Sequence, residues 1–260
     1  MLDAAHHAAA TAAPIVRLSG VEKVFDNGVH ALSGVDLSLY RGEFLSLLGP
    51  SGCGKSTVLR LVSGLDDATE GAIDWQGERG DQDVGFVFQE PTLMPWARVF
   101  ENVWLPLRLK GISRREAEGP VMAALESVGL TDFHRAFPRE LSGGMKMRVS
   151  IARALATDPK VMLMDEPFAA LDEITRFRLN DDLLRIWDEK GWTVIFVTHS
   201  VFESVYLSTR IAIMTGRPGR ISTEMHVDEP SPRRGEFRTS AHFAEIARAT
   251  SNALHTAMDQ

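Results

Sequence analysis

Two hydrophobic patterns take turns along the chain. Val35-Asp36-Leu37-Ser38-Leu39 alternates apolar and polar positions, as a half-buried strand does, and the stretches Ile15 to Phe25 and Ala31 to Leu39 are read as short strands. Phe44-Leu45-Ser46-Leu47-Leu48 is nearly continuous instead, ends at Gly49, and reads as a strand buried on both faces. Similar short runs follow at Asp83–Phe88, Val161–Met164, Thr193–Thr198 and Arg210–Met214, the last taken as the final strand. Between them lie helical spacings. Val58, Leu61, Val62 and Leu65 share one face of a helix starting near Thr57. Further helices are predicted at Arg114–Gly129, Gly143–Thr157, Leu171–Lys190 (stopped by Gly191) and Phe202–Leu207.

Strands alternating with helices predict an α/β fold, a mixed sheet with flanking helices, preceded by a small antiparallel β region. From Glu90 to about Asp158 the texture changes: Pro91, Pro95, Pro106 and Pro120 punctuate helical pieces, which reads as an inserted helical subdomain. The organisation expected is a flexible N-terminal tail over 1–14, one large domain over 15–228 with its helical subdomain at about 90–158, and a short extension over 229–260. The extension ends in an amphipathic stretch with Phe243, Ile246 and Leu254, read as a lid or dimer contact. No internal repeat is visible, so one such unit is expected.

Composition narrows the function classes. Of 260 residues, 44% are hydrophobic and 24% charged, enough for a sizeable core. The net charge of −7 argues against a nucleic-acid-binding protein, which needs a basic footprint. Cys53 is the one cysteine, so no intramolecular disulfide forms. The alanine-rich start, with His6 and His7, lacks the basic and apolar segments of a secretory signal. No run approaches the ~18 consecutive apolar residues of a membrane span, so a membrane role would come through a partner.

Gly49-x-x-x-x-Gly54-Lys55-Ser56 follows a buried strand and opens a helix, the context a P-loop requires. Glycines let the backbone of Gly49, Pro50, Ser51, Gly52, Cys53 and Gly54 curl so that N–H groups point at phosphate oxygens. The helix N-terminus at Lys55, Ser56 and Thr57 adds partial positive charge. Lys55 is placed to reach the β- and γ-phosphates, and the Ser56 hydroxyl to ligate Mg²⁺. Cys53 is read as a small structural residue of the loop. The fold expected is thus a P-loop NTPase core, binding ATP and Mg²⁺.

Three more strand ends carry polar residues. Val161–Met164 runs into Asp165 and Glu166, an acid pair at the carboxyl edge of the sheet, where ligands bind in open α/β folds. Asp165 suits Mg²⁺, directly or through water, and Glu166 suits polarisation of an attacking water. His199 ends the run Thr193–Thr198 and is read as a contact to the γ-phosphate that holds this water; Gln89, after Phe88, would touch both Mg²⁺ and water.

Leu141-Ser142-Gly143-Gly144-Met145 opens another helix, with Met145, Val149 and Ala152 on one face. Ser142 is a good N-cap, and the glycines expose amides at a positive helix end, a second anion site about 90 residues from the first. Two chains packed head-to-tail bring each P-loop against the partner's Ser142 helix.

This ordered set resembles the ATP-binding-cassette ATPases over about residues 15 to 225. GPSGCGKST matches the family's Walker A, Gln89 its Q-loop, LSGGM its signature, VMLMDE its Walker B, Ala170-Leu171-Asp172 its D-loop and His199 its switch histidine. Phe25 matches the aromatic that stacks on adenine. The resemblance implies ATP sandwiched between two cassettes, Glu166 as catalytic base, and Ser142 and Gly144 acting in trans on the γ-phosphate. Met145 and Met147 stand where the family commonly has glutamine; neither change removes Ser142 or the backbone amides.

MPWARVFENV (Met94–Val103), DEPFAALDEITRF (Asp165–Phe177) and EFRTS (Glu236–Ser240) are similar to the bacterial nitrate/sulfonate/taurine importer branch. That implies a permease and a periplasmic binding protein as partners, and a place on the cytoplasmic face of the cell membrane. Met94, Pro95, Trp96 and Val99 would offer the permease an apolar patch after the Q-loop; the alternative is Trp96 packed inside the helical subdomain. Competing readings are an exporter cassette, a soluble nucleic-acid-acting relative, which would usually carry two cassettes or a long coiled coil, and a small-molecule kinase, which would not need LSGGM.

Overall fold

The computed structural model of the chain describes residues 13–76, 84–230, 233 and 235–259. The expected tail over 1–14 therefore lies almost wholly outside the described residues, as does Asp83 at the head of its expected strand.

Among the described residues, nine strands form two sheets. β1 (Val16–Val24) pairs antiparallel with β2 (His30–Leu39) and with β4 (Glu70–Trp75), giving a three-stranded sheet. The larger sheet has the order β5-β6-β7-β3-β8-β9, built from β3 (Phe44–Leu48), β5 (Val84–Val87), β6 (Val161–Asp165), β7 (Thr193–Thr198), β8 (Arg210–Met214) and β9 (Ile221–His226). Five of its strands run parallel, and β9 closes one edge antiparallel.

The continuous apolar runs are explained by what lies on each face. Successive side chains of a strand point to opposite sides. Phe44 and Leu48 of β3, Met162 and Met164 of β6, Val194 and Phe196 of β7, and Ile211 and Ile213 of β8 enter one core. Their neighbours Leu45, Leu47, Val161, Leu163, Ile195, Val197, Ala212 and Met214 enter the other. The second core is closed by the antiparallel sheet and α1 (Lys55–Ser63); the first by the remaining helices. Arg210 joins the layers: it is buried, ion-pairs with Glu43 and Glu224, and donates to the Ser38 carbonyl of β2.

Between β5 and β6 the chain runs through α2 (Val99–Leu109), α3 (Arg114–Ser127) and α4 (Gly143–Leu155), with short 3₁₀ turns at Thr131–Phe133 and Pro138–Glu140. Ser113 and Glu116 form a reciprocal capping box at the start of α3. α5 (Glu173–Lys190) is capped by the Asp172 side chain and ends at Gly191 in the left-handed conformation. α6 (Val201–Leu207) follows His199, and α7 (Ala241–Met258) packs on α6, where Phe243 stacks against Phe202.

Three expectations are corrected, and a further strand, β4, went unanticipated. β8 is not the final strand, since β9 follows; its side chains are mostly exposed or half-exposed, so no apolar pattern announces it. β4 was likewise hidden by an exposed edge. Leu65 lies beyond the helix, which ends at Gly64, and is exposed. Val99 opens α2 and points into the core with Phe100 and Val103, so it is no part of a surface patch. Trp96, by contrast, is 78% exposed.

Candidate functional site

The larger sheet places four candidate groups at the carboxyl ends of four adjacent parallel strands. In the order β5-β6-β7-β3 these are Gln89, then Asp165 and Glu166, then His199, then the glycine loop. This is the edge at which open parallel sheets bind ligands.

The glycine loop is held from below and from the side. Gly54, the N-cap of α1, has φ 102, and a Cβ there would meet Leu32 Cδ2 at 2.5 Å, so both backbone conformation and space demand glycine. The turn Thr215–Arg220 abuts the loop from the other side: Arg217 Nε donates to the Gly52 carbonyl at 3.1 Å, and a Cβ on Gly219 would stand 1.9 Å from the Cys53 carbonyl oxygen. Gly49, Pro50, Ser51, Gly52, Cys53 and Gly54 thus trace a loop with one shape.

Lys55 is only 4% exposed, and its Nζ donates to the carbonyls of Gly49 and Pro50, each at 2.9 Å. It lies 3.8 Å from Glu166 Oε1. Ser56 Oγ donates to Asp165 Oδ1 at 2.9 Å. Burial pushes the Asp165 carboxyl above its ordinary range, against the pull of Ser56. Two hard oxygen donors side by side beneath a phosphate loop suit Mg²⁺, which takes one or two protein ligands and otherwise water and phosphate oxygens.

Glu166 has φ 43, a left-handed conformation rare outside glycine, and its N–H donates to the Val197 carbonyl at 3.0 Å. The neighbouring strand therefore fixes the turn that aims its carboxylate. Oε2 lies 3.3 Å from His199 Nδ1. Lys55, Ser56, Asp165, Glu166 and His199 thus form one connected set. Gln89 is exposed two residues past Val87, whose partner in β6 is Met164.

Phe25 is half-buried just past the end of β1, with Lys23 Nζ 5.2 Å from its ring centroid. Ser142 caps α4, accepting from the Met145 N–H at 3.3 Å. Gly143 and Gly144 stand against Leu171 and Thr175, not against the glycine loop: a Cβ on Gly144 would lie 2.7 Å from Thr175 Cγ2. Met147 is buried and Met145 half-buried, so both pack as core residues.

Burial pushes the Cys53 thiol up, although Lys55 pulls it down. The expected outcome with a disulfide reagent at neutral pH is slow modification of the native chain and fast modification in denaturant. Equal rates would show a thiol that is not enclosed.

Sequence reading passed over three charged side chains near this edge. Arg217 could have been noticed as a cation in a Gly- and Pro-rich turn. Glu203 could have been noticed as the one charged residue within the mainly apolar VFESVYL. Arg176 carries no signal among the other charges of α5.

The profile of the ABC transporter family matches residues 32–169. An aliphatic sulfonates import ATP-binding protein of Bacillus licheniformis is 47% identical over 232 residues, covering 86% of this chain and 88% of that one. A taurine import ATP-binding protein of Rhizobium johnstonii is 42% identical over 240 residues, covering 89% and 91%. An ATP-binding cassette solved as a dimer in a post-hydrolysis state with ADP and Pi superposes with a TM-score of 0.72, at 34% identity, over 83% of this chain and all of that one. A connected P-loop, acid pair and histidine on one sheet edge, and kinship over most of the chain, lead to one assignment: the chain belongs to the ABC transporter family.

Proposed function

We propose that the chain is the ATP-hydrolysing subunit of an importer for nitrate-, sulfonate- or taurine-type solutes, working as a head-to-tail pair of cassettes on the cytoplasmic face of a membrane. The observation that carries this is the row of four adjacent strand ends bearing Gln89, Asp165–Glu166, His199 and the P-loop.

Backbone N–H groups from Ser51 to Ser56 and the α1 N-terminus receive the phosphates of ATP. Lys55 Nζ donates to the loop carbonyls of Gly49 and Pro50 and, at 4.0 Å, to Cys53 Sγ; exchanging that weak thiol contact frees a hydrogen to donate to a γ-phosphate oxygen. Phe25 stacks on the adenine. Glu166 takes a proton from water as the water oxygen bonds the γ-phosphorus and the bond to the β-phosphate oxygen breaks. His199 holds the Glu166 carboxylate in place and contacts the γ-phosphate. Ser56, Gln89 and Asp165 would hold Mg²⁺, which neutralises charge on the β- and γ-phosphates when bound. Ser142 and the Gly144 amide complete the site from the partner cassette.

Coupling to a permease needs a surface beside this edge. A cleft of about 350 Å³ lies between the β5 edge and α2, lined by Phe86, Phe88, Leu105, Leu109 and Arg153. The loop leading to α2 is fixed by the buried Asn102, whose side chain bonds both the N–H and the carbonyl of Met94. Trp96 projects from this pinned loop. Cleft and Trp96 together form the permease site, and the periplasmic binding protein acts through the permease. Among the described residues no helix is long and apolar enough to cross a membrane.

The test is ATP hydrolysis by the purified chain, then co-purification with a co-expressed permease of the sulfonate- or taurine-importer type. Activity that needs Mg²⁺ is expected, and Trp96→Ala is expected to weaken co-purification by about tenfold or more, as loss of a buried tryptophan anchor does. No hydrolysis under any condition overturns the enzymatic reading. Undiminished co-purification removes Trp96 from the permease site.

A further inference from the structure

Behind the catalytic edge lies a buried pair that the mechanism above does not use. Glu203 sits on α6, four residues past His199, and is buried. Its Oε2 accepts from Thr198 Oγ1 at 2.5 Å, and its N–H donates to Ser200 Oγ at 3.3 Å. The Ser200 N–H in turn donates to Thr198 Oγ1 at 3.0 Å. Both neighbours of His199 are therefore bonded to Glu203, and the turn carrying the histidine has no independent freedom.

The second carboxylate oxygen faces α5. Glu203 Oε1 lies 3.7 Å from Arg176 Nε. Both atoms are buried, and neither has a hydrogen-bond partner. Unsatisfied buried polar atoms are uncommon and each calls for an explanation. Opposite charges at this separation attract without a hydrogen bond, and an approach of roughly 0.7 Å would complete one. Arg176 also reaches the other way: its Nη2 donates to the Leu171 carbonyl at 2.9 Å, and its N–H to the Asp172 carbonyl at 2.9 Å. The turn it grips is open to solvent, with Ala170, Asp172, Glu173 and Ile174 exposed. Burial pushes the Glu203 carboxyl up, and Thr198 and Arg176 oppose that.

We propose that Arg176 and Glu203 are a positioning pair, through which displacement of the exposed turn Ala170–Asp172 by the partner cassette sets the turn that carries His199. The proposal rests on the cassette-pair reading above. The physical path is continuous: Leu171 carbonyl, Arg176 guanidinium, Glu203 carboxylate, Thr198 and Ser200, His199, and Glu166. The two unsatisfied atoms at its centre are the part of the path that can tighten when a partner docks. Neither residue touches nucleotide, so the pair acts on catalysis only through His199.

The experiment is steady-state ATP hydrolysis by the full chain and by Glu203→Gln, Arg176→Met, Arg176→Lys and the Glu203→Gln/Arg176→Met double variant, each scaled to nucleotide-binding molecules. Expected is a fall in kcat of about 10- to 100-fold for either single variant, with KM for ATP little changed, as for a misplaced catalytic group. The double variant should be no slower than the slower single one, because each breaks the same link. Arg176→Lys, which keeps the charge, should recover part of the rate. A purely structural pair would lower the melting temperature and leave kcat per binding molecule intact, and that result overturns the proposal. So do losses that multiply in the double variant. Should Glu203→Gln fail to fold, the partly exposed Arg176 decides through its own two variants. Wild-type chain without ATPase activity sinks the functional reading and this proposal together, whereas an active wild type with unaltered variants sinks the proposal alone.

Discussion

Glu166→Gln is expected to lower ATP turnover by about 10²–10⁴-fold, the usual contribution of a positioned general base. Glutamine keeps the size and one hydrogen-bonding oxygen but takes no proton. The contact to His199 at 3.3 Å and the backbone bond to Val197 survive the change, so the site keeps its shape. ATP binding should therefore persist, and with hydrolysis blocked the closed pair should accumulate. Size exclusion in ATP and Mg²⁺ should show a dimer for the variant and mainly monomer for the wild type. Wild-type turnover by the variant would remove Glu166 from the role of base.

The second large effect lies outside the nucleotide's reach. Gly219→Ala is expected to cost about 1–3 kcal/mol of stability, as overpacking does, and to weaken ATP binding in parallel. The new methyl would stand 1.9 Å from the Cys53 carbonyl, and backbone cannot swing aside as a side chain can. Either the Thr215–Arg220 turn lifts or the loop shifts, and a shift turns amides away from the phosphates. Gly216, in the same turn, has nothing within 4 Å of an added Cβ, so Gly216→Ala is the control and should lie within about 0.5 kcal/mol of wild type. Thermal melts and titration with a fluorescent ATP analogue measure both. Equal behaviour of the two variants would mean that the turn does not set the loop.

The parts of the fold that could be read from sequence are those where local and tertiary demands coincide. β3, β6, β7 and β8 are buried on both faces, so their runs are nearly continuous in apolar residues, and β3, β6 and β7 each lead into candidate site residues. The edges β2 and β5 were legible, but the edge strands β4 and β9 gave no such signal. β4 and β9 keep most side chains in solvent and are held by backbone pairing to β1 and β8, which leaves little trace in residue type. α2 was obscured by Pro106, tolerated inside the helix, and Val99 was misplaced because its apolar side chain belongs to the core and not to the loop before it. Within the site, Lys55, Ser56, Asp165, Glu166 and His199 announce themselves by spacing and strand position. Glu203 and Arg176 do not, because their meaning arises from an approach between α6 and α5 that no local pattern encodes.

The left-handed backbone at Glu166 has a bearing on how such chains diverge. A side chain there costs about 1–2 kcal/mol relative to glycine, whatever its chemistry. With Glu166 as the proposed base, selection for turnover would be the force that keeps a carboxylate on an unfavourable turn. In a lineage where two unlike cassettes share the work, the copy relieved of hydrolysis loses that protection, and drift towards glycine at this codon would raise its stability while silencing it. Loss of function at this position runs downhill.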